Sequence, residues 1–459
     1  MRAQKASSIV QGEIMVVRSH SLSNLDVNSH AMVSAMHVNN VKRTTPCNFY
    51  RPTRLIYSRI FLACLSLFTS HVVYADAGDT FTPYVGYGIF SNDNIIREPD
   101  NGNRESDTWR RSTVGVRFDK SISRQRLTAD VSLNETKYDR FKDFDNDGRK
   151  LGANWNWVLG NRLSGNVGTS FSESLSYDFD EFGKPLPVSV RTQKSNFING
   201  GWHLHPSWRV TAAFKRNDID YEGSPEQKSQ VDTAELGLNY VPKSGNKIGL
   251  LLRHGEGNYP NQLPGNTANY TQDELKVNVN WRITGKTELQ FLGGWATRDF
   301  EFDPSRNYSG PDGKLTVNWA ATGKTALSLA VWRTLGSGYT DGGNLLTPPV
   351  DRNSPDGANL LTPPVDRNSN YSVNTGASLS ANWHATNKIV VEALTSSEGR
   401  TYNGVDRSDR YLRSSIGLNY SPLKQWTIRM AVYQQQLKSD FNNSSYRSKG
   451  VQLATRYEF

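Results

Sequence analysis

The sequence predicts an all-β chain, a transmembrane antiparallel up-and-down β-barrel of about 18 strands with short periplasmic turns and long extracellular loops. Three observations predict it: apolar and polar residues alternate with a period of two, short and long connections take turns along the chain, and an alternating segment ends in a terminal aromatic residue. Composition sets the bounds. The 459 residues are 36% hydrophobic and 11% aromatic with 37 glycines. No stretch approaches the roughly 18 consecutive apolar residues of a membrane helix. Recurrent aromatics within strand-like runs argue equally against wholesale disorder.

Three segments divide the chain. Residues 1–50 show no strand or helix pattern and are read as an unstructured extension from an over-extended start codon. Residues 51–75 read as a signal peptide: Arg51, Arg54 and Arg59 precede the apolar run Ile60–Phe68, and Val73-Tyr74-Ala75 places cleavage before Asp76. Lipidation at Cys64 is the weaker alternative, because only Ile60–Ala63 separate it from Arg59. The barrel then occupies residues 76–459. The first 75 residues carry +6 of the formal net charge of +9, so the remainder holds only +3 and the high pI is no argument for nucleic acid binding. Both cysteines, Cys47 and Cys64, fall in the same discarded piece, which excludes disulfides and thiolate chemistry from the mature chain.

Alternation defines the strands. Leu127, Ala129, Val131 and Leu133 alternate with Thr128, Asp130, Ser132 and Asn134; Leu151, Ala153, Trp155 and Trp157 alternate with Gly152, Asn154 and Asn156. Leu275, Val277, Val279, Trp281 and Ile283 alternate with Lys276, Asn278, Asn280 and Arg282. Each run has one apolar and one polar face, which a soluble sandwich also produces. The connections favour a barrel. Short ones fall at Lys120–Gln125, Gly160–Arg162, His205–Ser207, Pro242–Asn246, Thr284–Lys286, Thr322–Lys324, Thr386–Lys388 and Pro422–Gln425. Longer polar loops lie between them, at Ser91–Asp107, Tyr138–Arg149, Tyr177–Thr192, Pro260–Ala268 and Gly336–Ser369.

A weak repeat marks the short turns: Asn280–Leu289 matches Asn318–Leu327, with looser copies at Asn382–Lys388 and Asn419–Pro422. Each copy sets an aromatic on the apolar face just before a turn. Trp155, Trp157, Tyr240, Trp281, Trp319, Trp383 and Tyr420 are therefore expected to form a girdle at one membrane interface. At the C-terminus Val451, Leu453, Thr455, Tyr457 and Phe459 share one face, which resembles the last-strand signature recognised by the barrel assembly machinery.

Eighteen strands leave an aqueous channel. The expected pore-lining residues are Arg117, Asp130, Asn154, Asn156, Lys215, Glu235, Arg253, Lys276, Asn278, Asn280, Arg413 and Arg429. Amides can exchange hydrogen bonds with sugar hydroxyls, although any porin lumen must be polar. A slight excess of inward bases would favour an anionic solute or polymer; Arg–carboxylate ladders bracing the wall are the competing account.

Other motifs are weaker. Asp143-Phe144-Asp145-Asn146-Asp147-Gly148 resembles the start of a calcium loop, but Asn154 stands where the bidentate Glu belongs, so a hairpin tip is the better reading. Asn344–Ser354 recurs at Asn359–Ser369, a tandem duplication within an outer loop whose paired prolines preclude regular strand pairing. The mature histidines, His203, His205, His254 and His384, assemble no Ser/His/acid set, and His205 is expected in a turn. No enzyme, metal or cofactor is expected.

Around Tyr87–Arg97 the chain carries a D-N-x-x-R opening, Asp93-Asn94-Ile95-Ile96-Arg97. With the Trp-containing turns, the length and the terminal Phe, residues 76–459 resemble EpsL, the outer-membrane protein associated with exosortase-type exopolysaccharide biosynthesis loci. The resemblance implies export of a polysaccharide across the outer membrane, with periplasmic and inner-membrane partners and outer-membrane lipid around the barrel. A diffusion porin for small solutes is the alternative, and a structural or adhesive barrel the third. Composition and periodicity by themselves indicate only a wide, polar, amide-lined barrel.

Overall fold

The computed structural model describes residues 80–100, 102–176, 188–262, 268–336, 371–403, 406–440 and 444–459. The proposed leader, the residues before it and the duplicated loop all lie outside these. The strands, in chain order, are β1 (Phe81–Asn92), β2 (Asp107–Ile122), β3 (Gln125–Tyr138), β4 (Asn146–Leu159), β5 (Leu163–Ser176) and β6 (Ser189–His205). They continue as β7 (Trp208–Tyr221), β8 (Ser229–Tyr240), β9 (Lys247–Asn258), β10 (Tyr270–Thr284), β11 (Thr287–Phe300) and β12 (Tyr308–Ala320). The last six are β13 (Thr325–Gly336), β14 (Ser372–His384), β15 (Ile389–Tyr402), β16 (Ser408–Leu423), β17 (Trp426–Ser439) and β18 (Tyr446–Glu458).

Each strand pairs antiparallel with its sequence neighbours, and β1 also pairs with β18, so 18 strands close into one barrel without a free edge. The expected strand number holds. So do the eight tight connections, which all emerge at the same end of the barrel, opposite the longer ones. Their sequences explain their geometry. The repeated Thr-x-Lys turns use one arrangement three times: the hydroxyl of Thr284, Thr322 or Thr386 accepts the backbone N–H of Lys286, Lys324 or Lys388, each at 3.1 Å. Such a hydroxyl cap fixes the turn locally. The β2–β3 turn needs only Ser123 and Arg124, with Ser123 at φ 56°, and Gly160 supplies a φ of 57° in the β4–β5 turn.

The side chains sort by parity. The outward face carries the apolar set, among it Leu236, Leu250, Leu252, Leu275, Ile416 and Val432, all exposed. The inward face carries the polar set. A closed ladder with apolar residues outside and polar residues inside leaves no backbone group unpaired in lipid, which is the physical reason the alternation continues from strand to strand.

Several boundaries differ from expectation, among them Ser189–Thr192, expected in a loop but already in β6. Asn146–Arg149, expected in a loop, are already in β4 and pair with Leu133–Thr136. Here the strand continues beyond the apolar belt, both faces are polar, and the period-two signal vanishes. His205, expected in a turn, is the last residue of β6.

At the long-loop end the inward face becomes aromatic. Phe90, Trp109 and Tyr138 lie in one register row across β1, β2 and β3, with ring centroids 5.5 and 5.4 Å apart, and Phe144 closes the cluster edge-on. Tyr270, Ala296, Phe300, Leu335 and Tyr371 form a second cluster, and Tyr411, Leu437 and Tyr446 a third.

Candidate functional site

The candidate site is the inward wall. All twelve residues expected to line the pore have inward parity in the strand register. What they do there divides them. Arg117 on β2 lies 3.8 Å from Asp130 on β3 and 3.4 Å from Glu458 on β18. Arg429 on β17 lies 3.4 Å from Glu392 on β15. Arg126 and Asp119 pair at 2.5 Å. These are the wall-bracing ladders, and each base is matched by an acid.

A more deeply buried network occupies β8–β12. Arg253 donates from Nε to Glu235 at 2.7 Å and from Nη1 to Glu274 at 2.9 Å. Lys276 Nζ reaches Glu274 at 2.6 Å and Asp312 at 2.5 Å. The side chains of Glu235, Glu274 and Lys276 are 1%, 3% and 2% exposed. Gly294 makes this network sterically feasible. It lies between Lys276 and Asp312 in the register, and a Cβ there would stand 1.9 Å from the Leu275 carbonyl oxygen. Beside the network, Arg298 donates from Nε to Gln272 at 2.8 Å and stacks over Tyr270 at 4.1 Å.

Tyrosines lie flat along the wall where a glycine gives them room. Tyr84 crosses Gly115, where a Cβ would meet its ring at 2.3 Å, and donates to Asp130 at 3.0 Å. Tyr433 crosses Gly450 in the same way, and Asn92 donates to its hydroxyl at 3.0 Å. Arginines cap the rings: Arg456 stands 3.6 Å over Tyr84 and Arg400 4.4 Å over Tyr411. The Tyr84 and Tyr411 rings thereby each have a face occupied inside the wall.

The amides divide likewise. Asn239 and Asn278 are buried, and Asn239 donates to Thr211 at 3.3 Å while Asn166 donates to Asn199 at 3.0 Å. Asn154, Asn156 and Asn280 are half-buried. Part of the inward amide set thus joins strand to strand, because an inward amide on a crowded wall meets a neighbour before it meets water.

Strands β4–β7 differ from the rest. Their inward charged positions are Lys150, Arg191, Arg209 and Lys215, and none is acidic. Between these bases run hydroxyls and amides, including Ser164, Asn166, Ser170, Ser172 and Ser174 on β5. The acids of this arc, Asp147, Glu173, Asp218 and Asp220, have outward parity. Arg413, by contrast, lies on the far wall, opposite Ser396 and Gln435. The acid-free arc was legible in the sequence as a run of inward positions, but only once each strand's parity was known.

The expected girdle residues all have outward parity close to the short turns; Trp155, Tyr240, Trp281, Trp319 and Trp383 are exposed, while Trp157 and Tyr420 are half-buried. Trp202, Trp208 and Trp426 occupy the same level and were missed, because their turns lack the repeat. Val451, Leu453 and Tyr457 pair with Val432, Met430 and Trp426, on the outward face, and the Phe459 N–H donates to the Pro83 carbonyl at 2.9 Å.

The Asp93-Asn94 opening acts at the barrel seam. Asn94 is 1% exposed; its Nδ2 donates to the carbonyls of Glu98 at 2.8 Å and Arg447 at 3.1 Å, and its Oδ1 accepts the Glu98 N–H at 2.7 Å. Asp93 accepts the Lys449 N–H at 2.6 Å. In the calcium-like segment Asp145 accepts the Tyr138 N–H at 2.8 Å, as a hairpin-tip residue does. Among the described residues no cluster of three metal-binding side chains occurs.

No family model matches the chain, and no curated protein does. Among solved structures it is similar to Pseudomonas aeruginosa OpdK with vanillate, at 10% identity and a TM-score of 0.45, over 83% of this chain and 98% of that one. It is also similar to Pseudomonas aeruginosa OpdQ, at 11% identity and 0.46, over 83% and 97%. A third is Acinetobacter baumannii OccAB3, at 10% identity and 0.43, over 83% and 99%. The chain itself is a closed 18-stranded antiparallel β-barrel with a polar, charge-laddered interior.

Proposed function

We propose that the protein is a non-enzymatic outer-membrane diffusion channel for small anionic solutes. The observation that carries this reading is the acid-free arc on β4–β7, where Lys150, Arg191, Arg209 and Lys215 face inward. The ladders elsewhere are close to neutral, so the arc biases the lumen toward anions. In this reading the outward Trp and Tyr residues near the short turns are the periplasmic girdle, the last strand is the assembly signal, and residues 51–75 are a cleaved leader. Export of an exopolysaccharide, implied by the resemblance to EpsL, has less behind it: the inward aromatics that could stack on sugar rings, such as Tyr84, Phe90 and Trp109, are buried.

The test is reversal potential in a planar bilayer under a KCl gradient. Wild-type protein should prefer chloride, and the combined Lys150→Gln, Arg191→Gln, Arg209→Gln and Lys215→Gln variant should lose that preference. Unchanged selectivity would refute the assignment of the arc. A barrel that conducts no ions but whose deletion traps polysaccharide in the periplasm would return the reading to export.

A further inference from the structure

We propose that a groove on the outward face of β13–β17 binds the phosphate of an outer-leaflet glycolipid. Arg333 lies opposite Thr375, Thr375 opposite Gly399, Gly399 opposite Arg410, and Arg410 opposite Lys438, one row across five strands. These residues line a groove of about 580 Å³. Its floor is open at Gly399, where a Cβ would meet only the Thr375 carbonyl oxygen, at 3.8 Å.

The charge in the groove is unbalanced. Two bases elsewhere on the outward rim are matched: Arg110 lies 3.1 Å from Asp139, and Arg216 lies 2.7 Å from Asp232. Among the described residues Arg410 and Lys438 have no such carboxylate. The two acids that border the groove are engaged, Asp409 by Arg407 at 2.7 Å and Asp440 by the Ser408 N–H at 2.7 Å. Two guanidinium groups and an ammonium around an open floor suit a phosphomonoester, which guanidinium binds through paired N–H donors.

The position of the groove selects a lipid as the source of that phosphate. Arg333 and Arg410 each stand two residues beyond an exposed apolar residue, Val331 and Leu412, toward the long-loop end. That is the level at which the apolar belt gives way to headgroups. In the row just below, Ser397 and Gln436 flank Leu412, placing a hydroxyl and an amide where a saccharide backbone would lie.

The full-length folded barrel, stripped of lipid in detergent, would be titrated with bisphosphorylated lipid A, with dephosphorylated lipid A, and with inorganic phosphate, and bound mass read by native mass spectrometry. Bisphosphorylated lipid A should bind, and the other two should not. Each charge removed should weaken binding about fivefold, so Arg333→Gln, Arg410→Gln and Lys438→Gln together should weaken it about a hundredfold. Arg410→Lys, which keeps the charge but not the paired N–H donors, should weaken binding less than Arg410→Gln does. The unchanged electrophoretic shift between unheated and heated samples would establish that the triple variant is folded. Equal binding of dephosphorylated lipid A, binding of inorganic phosphate alone, or an unaffected folded triple variant would each overturn the proposal.

Discussion

Removing Arg253 should destabilise the barrel far more than removing a rim charge. Its guanidinium contacts Glu235 and Glu274 at 2.7 and 2.9 Å, and their side chains are almost completely buried. In Arg253→Met, Glu274 keeps Lys276 at 2.6 Å, whereas Glu235 loses its salt-bridge partner. Breaking a buried pair on one side costs about 3–5 kcal/mol, since a charge is left uncompensated in a poorly hydrated place. Removing both members together, in Arg253→Met with Glu235→Leu, should recover most of that loss, because replacing a buried pair by apolar groups is close to neutral. The assay is urea unfolding of the barrel in lipid vesicles, followed by tryptophan fluorescence. A cost below about 1 kcal/mol for the single variant, or a double variant as unstable as the single one, would refute the assignment of a buried, mutually dependent network.

Gly294→Ala should also destabilise, by about 2–4 kcal/mol, since its Cβ meets the Leu275 carbonyl and cannot be accommodated by a flexible side chain; the same unfolding assay reads it. Asn94→Ala removes three hydrogen bonds at the seam and should cost about 2 kcal/mol, with faster amide exchange over residues 93–98 as its signature. The Asp440 carboxyl, held by the Ser408 N–H, should titrate below the ordinary aspartate range. Its depressed pKa means the contact is present at neutral pH and lost only as pH falls through that lower value, which an NMR titration with Asp440→Asn as control would follow. Phe459→Ala should lower the yield of assembled barrel in cells more than it lowers the stability of barrel refolded in vitro.

Much of the architecture was legible because lipid imposes one rule on every strand. Leu275–Ile283 could alternate only as an outward apolar row, and the Thr-x-Lys repeats marked their turns by the hydroxyl that caps them. Where lipid no longer imposes its rule, the signal failed. Gly310-Pro311-Asp312-Gly313 has the composition of a turn, yet it is strand, paired with Gly293–Ala296, and it brings Asp312 to Lys276. The charge partners were hidden for a different reason. Arg117 and Glu458 are 341 residues apart, and only barrel closure makes them neighbours. The D-N-x-x-R opening was visible as a resemblance, whereas its physical work, bonding the first loop to the last strand, depends on that same closure.

The seam between β1 and β18 also sets the order of folding. Every other pairing joins strands adjacent in sequence and can form as a local hairpin. The seam joins Asn92 to Gly450, so its search runs over nearly the whole chain. Loop-closure entropy grows only slowly with length, but non-local pairing still slows folding. The barrel should therefore zip from hairpin to hairpin and wait at this one junction, with two open edges exposed until it closes. Asp93 and Asn94, whose bonds reach Lys449 and Arg447, can engage only after that event. They would act on the rate of reopening more than on the rate of closure, as a latch does.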